Sequence, residues 1–305
     1  MSGRGERGSI LLRLLNDFVA NIVGTGEGRN TDSGDVRQRI KEHLINQLST
    51  ADFSGKASLA RSVSDAVVRG LASSGMRVMV LEARLASRGK VGASGSPLGL
   101  VFETGVAWDL VYDLPYIPGS SIKGAVRGFW EALQDERRCR NDERLKRAFT
   151  RLFGSPCTLD WKVEGKERGA LVFMDSYPTA LAPNGGLIEP SVLTPHYHRG
   201  GDVVEKEADA SPVPILHPTI ASGVTFTIIV SFPGVPASLV SDIESDAERI
   251  IENASPRLGD LPRIANSLLN PVYALVALPL VLGSVGAKGR MGLNFFEIRR
   301  GRLIG

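Results

Sequence analysis

Three segments of this chain carry residue types at spacings that could do chemistry. In YIPGSSIKGAVRGFW (116–130), Gly119, Ser120 and Ser121 run directly into an apolar stripe of helical period: Ile122, Ala125, Val126, Phe129, Trp130 and Leu133. A helix start of this kind, with a serine as N-cap, presents backbone N–H groups and the positive end of the helix dipole to an anion such as phosphate. Lys123 and Arg127 stand four apart on the opposite face, and Gly124 and Gly128 let a partner approach between them. The same residues also describe an ordinary capped helix with solvated basic side chains.

The second segment is LGSVGAKGRMGLNFFEI (282–298). Glycines 283, 286, 289 and 292 recur every third residue, with Lys288 and Arg290 interleaved. The spacing is not that of a P-loop, and Gly289 stands where a Ser or Thr would hold magnesium. A glycine loop between a helix and a strand still lays its backbone against phosphates, and Gly286, Lys288, Gly289 and Arg290 are the candidates; a flexible turn is the competing reading. The third segment, 193–214, holds His196, Tyr197, His198 and Arg199. These suit proton shuttling in metal-independent RNA cleavage, or base stacking and phosphate contact. They equally suit a polar loop with incidental histidines. No Cys or acidic residue sits nearby at ligand spacing, so no metal is expected, and no cofactor motif is present.

The elements that must position these residues follow from periodicity. Helical spacing runs through Ile10–Ile22, Val36–Leu48 and Leu59–Leu71, joined by polar, glycine-rich links. Alternation over 76–87 predicts a strand, followed by the helix after PGSS and a basic helix over 144–153. Strands are expected at 169–179, 223–233 and 293–300, and helices at 237–254 and 272–282. Between 180 and 222 the chain is proline-rich with little periodic apolar pattern, a long excursion of the kind that is usually functional or flexible. From Met76 onward the order is strand, helix, strand, strand, helix, strand. This is the ferredoxin-like α+β plan with insertions, carried on residues 76–305 behind a helical extension over 1–75.

Composition sets the limits. The 305 residues are 43% hydrophobic and carry a net charge of +3, enough apolar material for a core and too little charge for binding polyanions except through local patches. Glycine is over-represented, at 34 residues. Cys139 and Cys157 are too few for a disulfide framework or a four-thiolate zinc site and read as packing residues. No apolar run reaches a membrane span, so a soluble cytoplasmic protein is the expectation.

SPLG (96–99), ETG (103–105), PYIPGSSIKGAVR (115–127), LFGS (152–155), VFMDSYP (172–178) and GSVGAKGRMGLNFFEI (283–298) together resemble the RAMP superfamily of CRISPR RNA-binding proteins. Within it, the LTPHY…SPVPI stretch and the GAKG loop look most like the sixth, backbone-capping subunit of type III-B (Cmr) effector complexes. The resemblance implies an RRM-like ferredoxin fold that holds guide RNA through its backbone, with a thumb hairpin near 180–213 reaching the guide–target duplex. It also implies guide RNA, target RNA, other RAMP subunits and a small helical subunit as partners, in antiviral defence. The alternative is a RAMP-type ribonuclease acting on target or precursor guide RNA. Nuclease relatives carry an aspartate in the loop after the first strand, where Ala86–Pro97 here has Arg88 and Lys90 and no acid. Asp109 and Asp113 come too late to match it. A non-catalytic subunit is therefore expected, and a scaffold that binds no RNA is a third reading.

Overall fold

The structure is a computed structural model that describes residues 9–24, 33–92, 97–102, 104–157, 167–193, 198–199, 202–203, 214–259, 270–286, 289 and 292–305. Its centre is an antiparallel sheet whose middle strands are β1 (Met76–Leu85) and β10 (Thr225–Pro233); the short β2 (Trp108–Asp109) and β3 (Leu114–Pro115) pair with each other outside it. They pair in continuous register from Met76 opposite Pro233 to Arg84 opposite Thr225. β11 (Phe296–Ile304) flanks β1 with a bulge between Glu82 and Ala83, and the short β4 (Val172–Phe173) and β5 (Pro178–Ala180) flank β10. The strand predicted over 169–179 is thus broken in two. Asp175 and Ser176 leave the ladder because both bond elsewhere, Asp175 to Gly119 and Ser176 to Ile117.

Between the sheet strands run α4 (Gly119–Leu133), then α5 (Glu136–Asn141) and α6 (Glu143–Phe153), and later α7 (Ala237–Leu258) and α8 (Pro271–Leu282). The strand–helix–strand–strand–helix–strand order is the one the sequence predicts. Met79, Leu81, Ala83 and Leu85 of β1 point into the core beneath these helices. Trp130 is fully buried and its indole N–H donates to the Leu275 carbonyl at 2.6 Å, locking α4 to α8. α5 escapes the apolar pattern, but Asp135 caps it and Asp142 caps α6, each with a glutamate next in sequence.

The opposite face of the sheet is covered too. α3 (Ser54–Ser73) lays Val67, Val68 and Leu71 over Val78, Val80 and Ile229. α1 (Ile10–Gly24) and α2 (Ser33–Thr50) contribute Leu11, Leu14, Leu44, Ile45 and Leu48 to the same continuous core as the sheet. The helices before Met76 and the domain after it therefore share one core.

The excursion at 180–222 contains regular structure that periodicity did not show. β6 (Ile188–Leu193) and β9 (Ile215–Ile220) form an antiparallel ribbon, with Pro190 opposite Pro218. Neither of two paired prolines can donate to a ladder, so the ribbon reads poorly as strand in the sequence. α2 packs against it. Farther out, β7 (His198–Arg199) pairs with β8 (Asp202–Val203). No described helix is long and apolar enough to cross a membrane.

Candidate nucleic-acid interface

The start of α4 differs from its sequence reading. Pro118, not a serine, is the N-cap, and no side chain of its own segment caps the helix. Pro118 holds an extended ψ of 135°, as its ring permits, and its carbonyl accepts from Ser121 N–H at 2.9 Å and Ile122 N–H at 3.2 Å. Gly119 is required for packing rather than for ligand access, because a Cβ there would overlap the Phe173 carbonyl. Its N–H donates to the Asp175 carboxylate at 2.8 Å. A carboxylate thus already occupies the place beside the helix terminus that the sequence reading offered to phosphate.

The open surface lies along the outer face of α4. Ser120, Gly124 and Gly128 are exposed, and a Cβ at either glycine would meet nothing within 4 Å. Beside them, Lys123 is half-buried and has no hydrogen-bond or ion-pair partner among the described residues. Burial, reinforced by the charge of Arg127, lowers its ammonium pKa from the usual lysine value. A cation that is partly desolvated and unpaired gains more than a solvated one from a phosphate. Arg127 is a correction to the sequence reading, since it does not lie on a free polar face. It pairs with Glu131 at 2.7 Å, donates to the Ser155 hydroxyl and reaches the Pro156 carbonyl at 3.2 Å.

The glycine loop after α8 is seated against the loop after β1. Asn294 N–H donates to the Arg88 carbonyl, the Lys90 N–H donates to the Asn294 side chain, and Phe295 N–H pairs with Ser87 Oγ. Gly286 has φ +114°, and a Cβ there would sit 2.7 Å from the Lys90 carbonyl, so both conformation and space demand glycine. The Gly289 carbonyl accepts from Gly292 N–H at 2.9 Å. Lys288, Arg290, His196 and Tyr197 lie outside the described residues, and of His198 and Arg199 only the backbone ladder is described. Gly283 approaches Phe129, on the apolar stripe of the second half of α4, so the start of the loop packs against that side of the helix. Arg88 and Lys90, the two cations of the loop after β1, are placed differently. Arg88 pairs with Glu189 at 2.7 Å, and Lys90 is 1% exposed.

Residues the sequence reading missed sit beside α4. Tyr116 stacks on Tyr177 with an interplanar angle of 20°, and Tyr112 meets Tyr177 edge-on. The Tyr177 hydroxyl donates to Asp109 at 2.6 Å, and burial and that carboxylate raise its pKa. Half-exposed rings near a cationic helix face suit base stacking. Asp113 accepts from Ser9 Oγ, the Ile10 and Leu11 N–H groups and the Trp108 indole, and pairs with Lys56 at 2.7 Å. Cys139 and Cys157, read as packing residues, are both buried and joined as a disulfide, their Cα atoms 5.8 Å apart. α6 reverses the chain between them, a juxtaposition that spacing alone does not reveal. Among the described residues no cluster of His, Cys, Asp or Glu could hold a metal ion.

Three likenesses place the chain among known proteins. It is 30% identical over 211 residues to the CRISPR system CMR subunit Cmr6 of Saccharolobus solfataricus, an alignment covering 69% of this chain and 66% of that protein. Its fold matches a chain in the cryo-EM structure of the Type III-B Cmr-beta bound to cognate target RNA, with a TM-score of 0.60, 24% identity, and coverage of 97% of this chain and 89% of that one. The RAMP superfamily pattern matches residues 95–293, a span that takes in the α4 start, the β6–β9 ribbon and the glycine loop. With most of its length inside that pattern, the chain belongs to the RAMP superfamily.

Proposed function

We propose that the chain is a non-catalytic subunit of a type III-B CRISPR (Cmr) RNA-targeting effector complex, cytoplasmic, holding the guide RNA by its backbone and capping the row of backbone subunits at the guide 3′ end. Its partners are guide RNA, target RNA, the other RAMP subunits and the small helical subunit. The observation that carries this reading is Lys123, half-buried and unpaired among the described residues beside the bare backbone at Gly124 and Gly128. The similarity to a protein named as a Cmr subunit supports the assignment to that complex.

The carboxylates of this region support a binding role rather than a cleaving one, beginning with Glu131 of α4 itself, which pairs with Arg127 at 2.7 Å. Asp175 holds the α4 start, Asp113 anchors α1, and Asp109 bonds Tyr177 and the Val111 and Tyr112 N–H groups. Each is spent on structure, whereas a general base must be free to take a proton.

Lys123→Ala is expected to weaken guide-RNA binding by about 1.5–3 kcal/mol, the range for a charge-assisted contact. The slope of log K against log salt should flatten by about 0.7 for the lost phosphate contact. Arg127→Ala, in contrast, should lower stability by about 1 kcal/mol by freeing Ser155 and Pro156. Fluorescence anisotropy across a salt series, with urea melts of both variants, makes the comparison. Wild-type affinity and slope in Lys123→Ala would refute the assignment of RNA to the α4 face.

A further inference from the structure

The basic helix α6 and the short α5 before it are not used by the site described above, yet they carry the densest cationic surface among the described residues. A shallow concavity of about 530 Å³ is lined by Arg137, Arg138, Asn141, Arg144 and Arg147, with Asp142 and Glu143 at its edge. Both acids are committed. Asp142 accepts from the Arg144 and Leu145 N–H groups as the cap of α6, and Glu143 pairs with Lys146 at 2.7 Å. Arg138 reaches Asn253 at 3.3 Å, and Arg147 spends one N–H on the Glu143 carbonyl. Arg137 and Arg144 are exposed, and neither guanidinium has a partner among the described residues.

This concavity is not isolated. Arg147 and Glu143 also line a larger groove of about 870 Å³, which runs past Lys146, Arg151 and Arg168 to Pro156 and to Val172 on the edge strand β4. Pro156 is the residue whose carbonyl accepts from Arg127. Arg144, Arg147 and Arg151 thus run along α6, about 16 Å long at 1.5 Å per residue, toward the end of α4; on the way Lys146 pairs with Glu143, Arg151 pairs with Asp242 and Asp246, and Glu167 lines the same groove.

We propose that this track along α5 and α6 carries the RNA phosphate backbone onward from the α4 face, with Arg137 and Arg144 as its outer contacts. The inference rests on the RNA-binding function proposed above. Two features favour a nucleic-acid backbone over an acidic protein segment. The outer concavity is lined by charged and amide side chains alone, whereas protein interfaces bury an apolar or aromatic centre. Arg144, Arg147 and Arg151 also follow one side of α6 at spacings of three and four, and planar guanidinium forks match successive phosphates without reading bases.

The test uses the assembled complex with its guide, comparing wild type, Arg137→Glu/Arg144→Glu and Lys123→Ala over a salt series with guide RNAs of full and shortened length. Both substituted arginines are exposed, so thermal melting should be unchanged and any loss attributable to charge. The track predicts an affinity weaker by about a hundredfold or more in the arginine variant. It also predicts a slope flatter by about 1.4, two lost contacts at about 0.7 each. Shortening the RNA should erase the difference between the variant and wild type. If Lys123→Ala weakens binding while the arginine variant does not, the track is wrong and the α4 site stands. Should neither variant matter, both fall together. Loss of a protein subunit from the arginine variant, with RNA affinity intact, would assign the surface to an acidic protein instead and overturn the proposal.

Discussion

Asp113→Ala is expected to destabilise the protein by about 3–5 kcal/mol, the range for stripping one partner from a buried charged network. Asp113 is 2% exposed and gathers Ser9, the first N–H groups of α1, the Trp108 indole and the Lys56 ammonium onto one carboxylate. Removing it strips the Ile10 and Leu11 N–H groups of their acceptor, leaving Ser9 Oγ on the Leu12 N–H alone, and takes away the carboxylate paired with Lys56, so the helices before Met76 should loosen first. The same group sets an acid limit. Burial works to raise its pKa, but the Lys56 ion pair and the bonds from Ser9, Ile10 and Trp108 outweigh it and hold the pKa below the usual carboxylate range. A depressed folded-state pKa contributes stability above about pH 4, the unfolded value, and that contribution is lost as pH falls through the folded value. Urea unfolding followed from pH 7 to pH 3 should show wild type losing this increment and Asp113→Asn, lower throughout, losing much less. Equal acid sensitivity in the two proteins would mean that Asp113 does not tie α1 to the sheet.

Three glycines of one helix should respond in opposite directions. Gly119→Ala places a Cβ onto the Phe173 carbonyl and against the Met174 backbone, and neither can rotate away. A loss of about 3 kcal/mol is expected, at the upper end for overpacking, because backbone meets backbone. Gly124→Ala and Gly128→Ala add a methyl to open space in a helix and should each stabilise by roughly 0.5–1 kcal/mol. On the proposed function those same two substitutions weaken RNA binding, since the added methyls stand between the backbone and its ligand. Stability measured by melting and affinity measured by anisotropy should therefore move apart at 124 and 128. A stabilised variant with undiminished RNA affinity would show that nothing docks on this face.

What was legible in the sequence, and what was not, follows from the range of the interactions. The Ile122–Val126–Trp130 stripe, the alternation from Val78 to Leu85 and the strand at 225–233 are local patterns, and each is an element in the structure. The glycines of the terminal loop were recognisable as backbone-driven, and Gly286 and Gly292 do hold positive φ. The partners of the charged residues were not legible. Arg127, Arg88, Asp113 and Asp175 look alike as surface charges in the chain; the Arg127–Glu131 pair is local, but Ser155 and Pro156 beside Arg127, and the partners of the other three, are brought near only by the fold. The β6–β9 ribbon was hidden for another reason. Its prolines weaken the strand signal, while its stability comes from pairing and from α2 packed against it.

The central claim, that RNA lies along the outer face of α4, is tested most directly by photo-crosslinking. The complex would be purified with a guide carrying photoreactive nucleotides, irradiated, and the crosslinked peptides of this chain sequenced. Adducts are expected on the peptide containing Ser120, Ser121 and Lys123, lost in Lys123→Ala when the crosslinked atom is the ammonium and weakened otherwise. Guide RNA that co-purifies with the complex but leaves this helix unmodified, with adducts confined to other surfaces of the chain, would contradict it.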